Sequence, residues 1–254
     1  MDNHLSGIIL PGGRYDQKKS EHIRLQNSVF DIMMNQKIPV PVLGVSLGFQ
    51  RFLERILGLT HRGELLTDTD TLTREDAKGR RKNKISGNLK LDLLKLGNDP
   101  TVASFTNQSE RFDVSNIFKN LPQNLKNTKS AHHAHRWYFD YKNFTQKHSK
   151  HFNILSTSTH PLNGQKFINT ISSKKYPFIG TSWHPEKPAF EFNELNFERR
   201  YHTGEAIKMS QYFGNVFVDL TREHPNRFRL SWNFLSDRLE RNGKCKFYGE
   251  VTYS

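Results

Sequence analysis

The sequence predicts an α/β fold. Three observations carry the prediction: short apolar runs bounded by turn residues, amphipathic stretches of helical period, and the alternation of the two along the chain. Gly7-Ile8-Ile9-Leu10, closed by Pro11-Gly12-Gly13, reads as a buried strand ending in a tight turn. A helix is expected over residues 21–35, with Ile23, Phe30, Met33 and Met34 near one face. Ile38 to Leu43 reads as a second buried strand, its two prolines at the entry, where a missing N–H is tolerated. From Leu47 the period changes. Phe49, Phe52, Leu53, Ile56 and Leu57 follow the spacing of an amphipathic helix that ends at Gly58. Residues 44–48 therefore form a strand-to-helix turn. Residues 61–100 read as looser and carry the basic run Lys78, Arg80, Arg81, Lys82 and Lys84. Further strands are expected at Phe152 to Leu155, Phe167 to Ile171 and Pro177 to Trp183. A last helical stripe runs through Ala206, Met209, Tyr212, Phe213, Val216, Phe217 and Leu220. With no internal repeat and no convincing linker, one domain over 1–254 is expected.

Length and composition narrow the class. A chain of 254 residues, 35% hydrophobic and 25% charged, buries a sizeable core and is neither a low-complexity nor a collagen-like sequence. Its net charge of +13 calls for an acidic neighbour: nucleic acid, an anionic membrane surface, a polyanionic substrate or an acidic protein. The lone Cys245 excludes an internal disulfide framework and a multi-cysteine zinc cage. No apolar run reaches the roughly 18 residues of a spanning helix. The first residues, Met1-Asp2-Asn3-His4, lack the layout of a secretory signal. Taken as complete, the chain is expected inside the cell, in cytoplasm or mitochondrion; with a longer beginning, in a lysosome or vacuole or secreted.

Three segments carry potential chemistry. Gly44-Val45-Ser46-Leu47-Gly48 fits a nucleophile elbow, in which a sharp turn exposes a side chain above the sheet and the helix N-terminus offers N–H groups to an oxyanion. The plain alternative is an ordinary strand-to-helix turn. Trp183-His184-Pro185-Glu186-Lys187 places a carboxylate two residues after a histidine, as a general base and its orienting group require. The alternative is a surface turn with a capping glutamate. Pro11-Gly12-Gly13 lets backbone N–H groups approach a substrate oxygen, or is simply a turn.

Together these motifs carry a resemblance. Residues 7–13 and 44–49, Leu66 to Asp70, Ala134 to Trp137 with Lys142 to Phe144, and Trp183 to Lys187 stand in an order and approximate spacing similar to those of γ-glutamyl hydrolases, in the class I glutamine amidotransferase-like superfamily. The resemblance covers about Gly7 to Phe217. It implies a flavodoxin-like three-layer α/β/α sandwich with a mostly parallel sheet, here without the N-terminal strand and helices that such proteins carry before the position of Gly7. It also implies a thiol peptidase acting on folylpoly-γ-glutamates, with no cofactor and no metal. The positions matching the nucleophile, base and orienting acid are Ser46, His184 and Glu186. Gly12, Gly13 and Leu47 are the expected oxyanion donors from the turn and helix start described above, and His135 matches a histidine of the family's substrate pocket. A basic insertion relative to the family falls around residues 74–95.

Two residues depart from the family pattern. Ser46 stands where the resemblance expects cysteine, and Gln50 replaces an acidic residue just after the elbow. A hydroxyl is a far weaker nucleophile than a thiolate. Two functions follow as expectations. One is a pseudoenzyme kept as a structural or binding subunit, with an acidic protein partner or a larger assembly. The other is an active γ-glutamyl peptidase using Ser46. His132, His133 and His135 invite a metal reading, but without a nearby carboxylate or cysteine pattern they are expected on a loop lining the pocket through His135. Without interleaved aromatics, the run from Lys78 to Lys84 makes nucleic acid the weaker partner.

Overall fold

The computed structural model describes residues 5–13, 21–35, 40–58, 67–68, 85–94, 117–118, 120–135, 137–191 and 202–224. The first crossover follows the expected pattern: strand β1 (Ile8–Leu10), helix α1 (Glu21–Met34), strand β2 (Val42–Val45) and helix α2 (Leu47–Leu57). Gly58 ends α2 in the left-handed conformation at φ 66°, returning its N–H to the Glu54 carbonyl. Then come β3 (Thr67–Asp68), β4 (Ile85–Lys90), β5 (Asp92–Leu93), α3 (Gln123–Lys126), β6 (Lys129–His135), β7 (Trp137–Tyr138) and α4 (Tyr141–His148). The last elements are β8 (Phe152–Thr159), β9 (Lys166–Ser173), β10 (Phe178–Thr181), α5 (Lys187–Phe190) and α6 (Gly204–Glu223).

The main sheet has the order β1-β2-β10-β9-β8-β5. It is mixed: β1, β2 and β10 run parallel, and pairing beyond β10 is antiparallel. Adjacent residues of a strand point to opposite faces, and the core divides accordingly. Val42 and Phe178 pack with Phe30 and Met33 of α1 and Phe49, Phe52 and Leu53 of α2. Their neighbours Leu43 and Ile179 pack on the other face with Met209, Phe213, Phe217 and Leu220 of α6. The result is the α/β/α sandwich with helices on both faces. Two short antiparallel pairs, β3 with β7 and β4 with β6, complete the described strands.

Two expectations change. Residues 85–94, read as loose, form β4 and β5, and the histidine segment read as a loop is strand β6. Neither contains the alternation of branched apolar residues that marks a strand in sequence; the pairing of β4 with β6 and of β5 with β8 recruits them instead. The basic run up to Lys84 and Cys245 lie outside the described residues.

Helix α2 approaches the sheet unusually closely at its start, and glycine makes the approach possible. A Cβ on Gly48 would lie 2.2 Å from the Leu10 carbonyl oxygen, and one on Gly180 would lie 2.2 Å from the Phe49 ring. Gly180 sits opposite Gly44 in the β10–β2 register, so two bare backbones make a flat seat for Phe49.

Candidate active site

Three parallel strands deliver the site. In register, Leu10 faces Gly44 and Val45 faces Thr181, so β1, β2 and β10 end at about the same level. Gly12, Ser46 and His184 lie one to three residues past those ends, at the carboxyl edge where ligands of open α/β sheets bind. A Cβ built on Gly12 would lie 2.9 Å from His184 Cε1 and 3.1 Å from Ser46 Cβ. The imidazole and the serine therefore border one small space above Gly12, which a side chain at position 12 would fill.

Ser46 has φ 51° and ψ −103°, and it is the non-glycine residue of positive φ among the described residues. Its N–H donates to the Thr181 carbonyl at 2.7 Å, which pins the elbow to β10. Its own carbonyl accepts from Gln50 N–H at 3.0 Å, opening α2. Leu47 is the first helical residue, so its N–H belongs to the donors that helix geometry leaves without an intrahelical partner.

His184 is 6% exposed, and its Nδ1 lies 2.7 Å from Glu186 Oε1. Partial burial pushes the Glu186 carboxyl up, but the hydrogen bond from His184, the imidazole's charge, a backbone N–H and Lys187 together leave it below the usual carboxylate range. An ionised carboxylate only accepts, so His184 Nδ1–H donates to it, and Nε2 is left with a lone pair, as a general base requires. Hydrogen bonds tie the loop carrying His184 to β6, β9 and α6. Its N–H donates to the His132 carbonyl at 2.8 Å, and the Trp183 indole N–H donates to Thr170 Oγ1 at 3.1 Å. Ser182 Oγ donates to Asn169 Oδ1 at 3.1 Å, and Ser210 Oγ donates to the Pro185 carbonyl.

The structure thus brings Gly12, Ser46, His184 and Glu186 together, with Leu47 at the head of α2 and exposed Gly13 beyond Gly12. His135 lies on β6, the strand whose His132 meets the His184 loop, with ring centroids 6.5 Å apart. Sequence reasoning missed Thr181, Asn169 and Thr170 as supports of the site. Their signal, small polar residues inside apolar strands, was present but has many other causes. Among the described residues no group of three or more His, Cys, Asp or Glu is arranged to hold a metal.

This fold and this edge define a class. Residues 1–202 match the family described as Glutamine amidotransferase class-I, and the chain belongs to that family. Within it, the chain is similar to γ-glutamyl hydrolases. It is 28% identical over 232 residues to the γ-glutamyl hydrolase of Homo sapiens, covering 89% of this chain and 62% of the human protein. It is 27% identical over 235 residues to γ-glutamyl hydrolase B of Dictyostelium discoideum, covering 88% of this chain and 58% of that one. Among solved structures, the glutaminase domain of Trypanosoma brucei CTPS with bound acivicin matches at TM-score 0.46 and 12% identity, over 89% of this chain and 75% of that chain.

Proposed function

We propose that the chain is a γ-glutamyl hydrolase-like protein that recognises γ-glutamyl compounds such as folylpoly-γ-glutamates, with hydrolysis disarmed, and serves as a binding or structural subunit. The observation that carries this reading is the hydroxyl at Ser46. The His184–Glu186 pair supports a base, but a hydroxyl stays protonated at neutral pH and gives a site built around His184 little nucleophile. The net charge of +13 supports an acidic partner protein or assembly and suits a polyanionic ligand.

A second reading has its own support: the His184–Glu186 pair leaves Nε2 with a lone pair, on an imidazole that borders the same small space above Gly12 as Ser46. In that reading Ser46 Oγ attacks the γ-carbonyl carbon while His184 Nε2 takes the hydroxyl proton. Backbone N–H groups of Gly12, Gly13 and Leu47 hold the oxyanion. His184 then gives the proton to the leaving amine, and water hydrolyses the acyl ester by the same steps in turn.

Hydrolysis of a γ-linked polyglutamate by the purified chain, beside Ser46→Cys and Ser46→Ala, separates the two. The binding reading expects no turnover from the natural chain or Ser46→Ala and a gain in Ser46→Cys. Turnover by the natural chain that vanishes in Ser46→Ala would overturn it in favour of a serine hydrolase.

A further inference from the structure

The mechanism leaves one buried pair of titratable groups unused. His133 and His135 are two residues apart on β6 and so share a face of the strand. His133 Nδ1 lies 2.8 Å from His135 Nε2. Both rings stand edge-to-face on Phe167, with centroids 5.4 and 5.8 Å from it. His133 is fully buried and His135 is 5% exposed.

A hydrogen bond between two imidazole nitrogens needs one N–H and one lone pair, so the contact fixes both tautomers at once. Burial, reinforced by repulsion from His135, His132 and His184, holds the His133 imidazole well below its usual pKa, so the ring is neutral. Two arrangements are then possible. If His135 donates, the proton of His133 sits on Nε2, which is buried and has no hydrogen-bond partner among the described residues. If His133 donates from Nδ1, the orphaned Nε2 is only a lone pair. Buried N–H groups without an acceptor are the rarer defect.

We propose that His133 is a positioning residue: its Nδ1–H donates to Nε2 of His135 and holds His135 as the Nδ1–H tautomer, in one ring orientation, for ligand recognition. A neutral N–H donor of fixed direction suits an oxygen acceptor such as a γ-glutamyl carbonyl or carboxylate, and it does so without a charge that water and salt would screen. That His135 is the group the ligand meets rests on the function proposed above; the tautomer does not.

The test separates the two. In the full chain labelled with 15N-histidine, imidazole NMR is expected to show His135 with a protonated Nδ1 and an unprotonated Nε2. His133→Phe keeps a ring against Phe167 but removes the donor, and is expected to release His135 to the Nε2–H form that imidazoles ordinarily prefer. His133→Asn supplies an amide donor and is expected to restore the Nδ1–H form. Calorimetric titration with γ-linked diglutamate should show about a tenfold loss of affinity in His133→Phe and recovery to within about threefold in His133→Asn, tenfold being the scale of one hydrogen bond. A natural chain with His135 protonated on Nε2 overturns the proposal, whether or not the variants fold. So does a His135 tautomer unchanged in a folded His133→Phe. The Nδ1–H signature in a chain that does not bind diglutamate upholds the positioning role and overturns the ligand reading.

Discussion

At Glu186 the decisive quantity is the proton it lacks. Because its carboxyl is held below the usual range, it remains an acceptor through mildly acidic pH and keeps His184 in the Nδ1–H form. The stability this contributes is present at neutral pH and disappears as pH falls through the lowered folded-state value. Glu186→Gln removes the charge and lets an amide N–H face the ring, so either tautomer is accommodated. In a Ser46→Cys background with turnover, Glu186→Gln is expected to cut kcat by about 100-fold or more, measured by release of glutamate from a γ-linked chain. Gly12 is equally specific in its demand. Gly12→Ala would press a methyl against His184 Cε1, and is expected to impair ligand binding more than folding, as read by titration beside thermal melting.

Among the elements, α2 owes its place to glycines rather than to apolar area alone. Gly48→Ala drives Cβ into the Leu10 carbonyl, a backbone atom that has no rotamer to escape through. Denaturant unfolding should show a loss of about 1–3 kcal/mol, the usual cost of overpacking. Helix α6 offers a gentler comparison: Thr203 caps it by accepting from Ala206 N–H at 3.2 Å, and Thr203→Ala should cost about 1 kcal/mol in the same assay. These elements were legible in sequence because each states its period within itself. Phe49, Phe52, Leu53, Ile56 and Leu57 need no distant residue to read as a helix, and the residues of the Gly44–Gly48 turn and of Trp183 to Lys187 lie close enough to be recognised as motifs. Strand β6 was not legible. Ser130-Ala131-His132-His133-Ala134-His135 has neither branched apolar residues nor alternation, and it is a strand because β4 pairs with it. Missing the strand hid the His133–His135 bond, since only an extended backbone puts residues i and i+2 on one face. The antiparallel half of the sheet was likewise unreadable, because the direction of pairing is set by connections and not by the composition of any one run.

For the whole molecule, acid is the condition to fear. His133, His160 and His148 are all held below the ordinary histidine value of 6.5, chiefly by burial; His148 is also repelled by His151, Lys147 and Lys150. Below 6.5 the unfolded chain takes up protons that these folded sites refuse. Stability is therefore fully present above that pH and declines as pH falls beneath it. Urea midpoints at pH 7.5 and 5.5 should show the decline, and His133→Phe should flatten it; an unchanged midpoint in the natural chain would contradict the assignment. The two-faced core makes a second demand on the whole. Phe178 seals one side of the sheet and Phe213 the other, so truncating either to alanine should cost about 3–5 kcal/mol even though they share no contact cluster. One cost within this stability is voluntary. Ser46 holds a backbone conformation that suits glycine, a strain of order 1–3 kcal/mol that substitution to glycine would relieve. A population of variants selected only for heat resistance should drift to glycine at position 46, while one selected for ligand capture should retain a side chain there. The elbow is thus a point where durability and usefulness pull apart, and the residue found there records which of the two has been under selection.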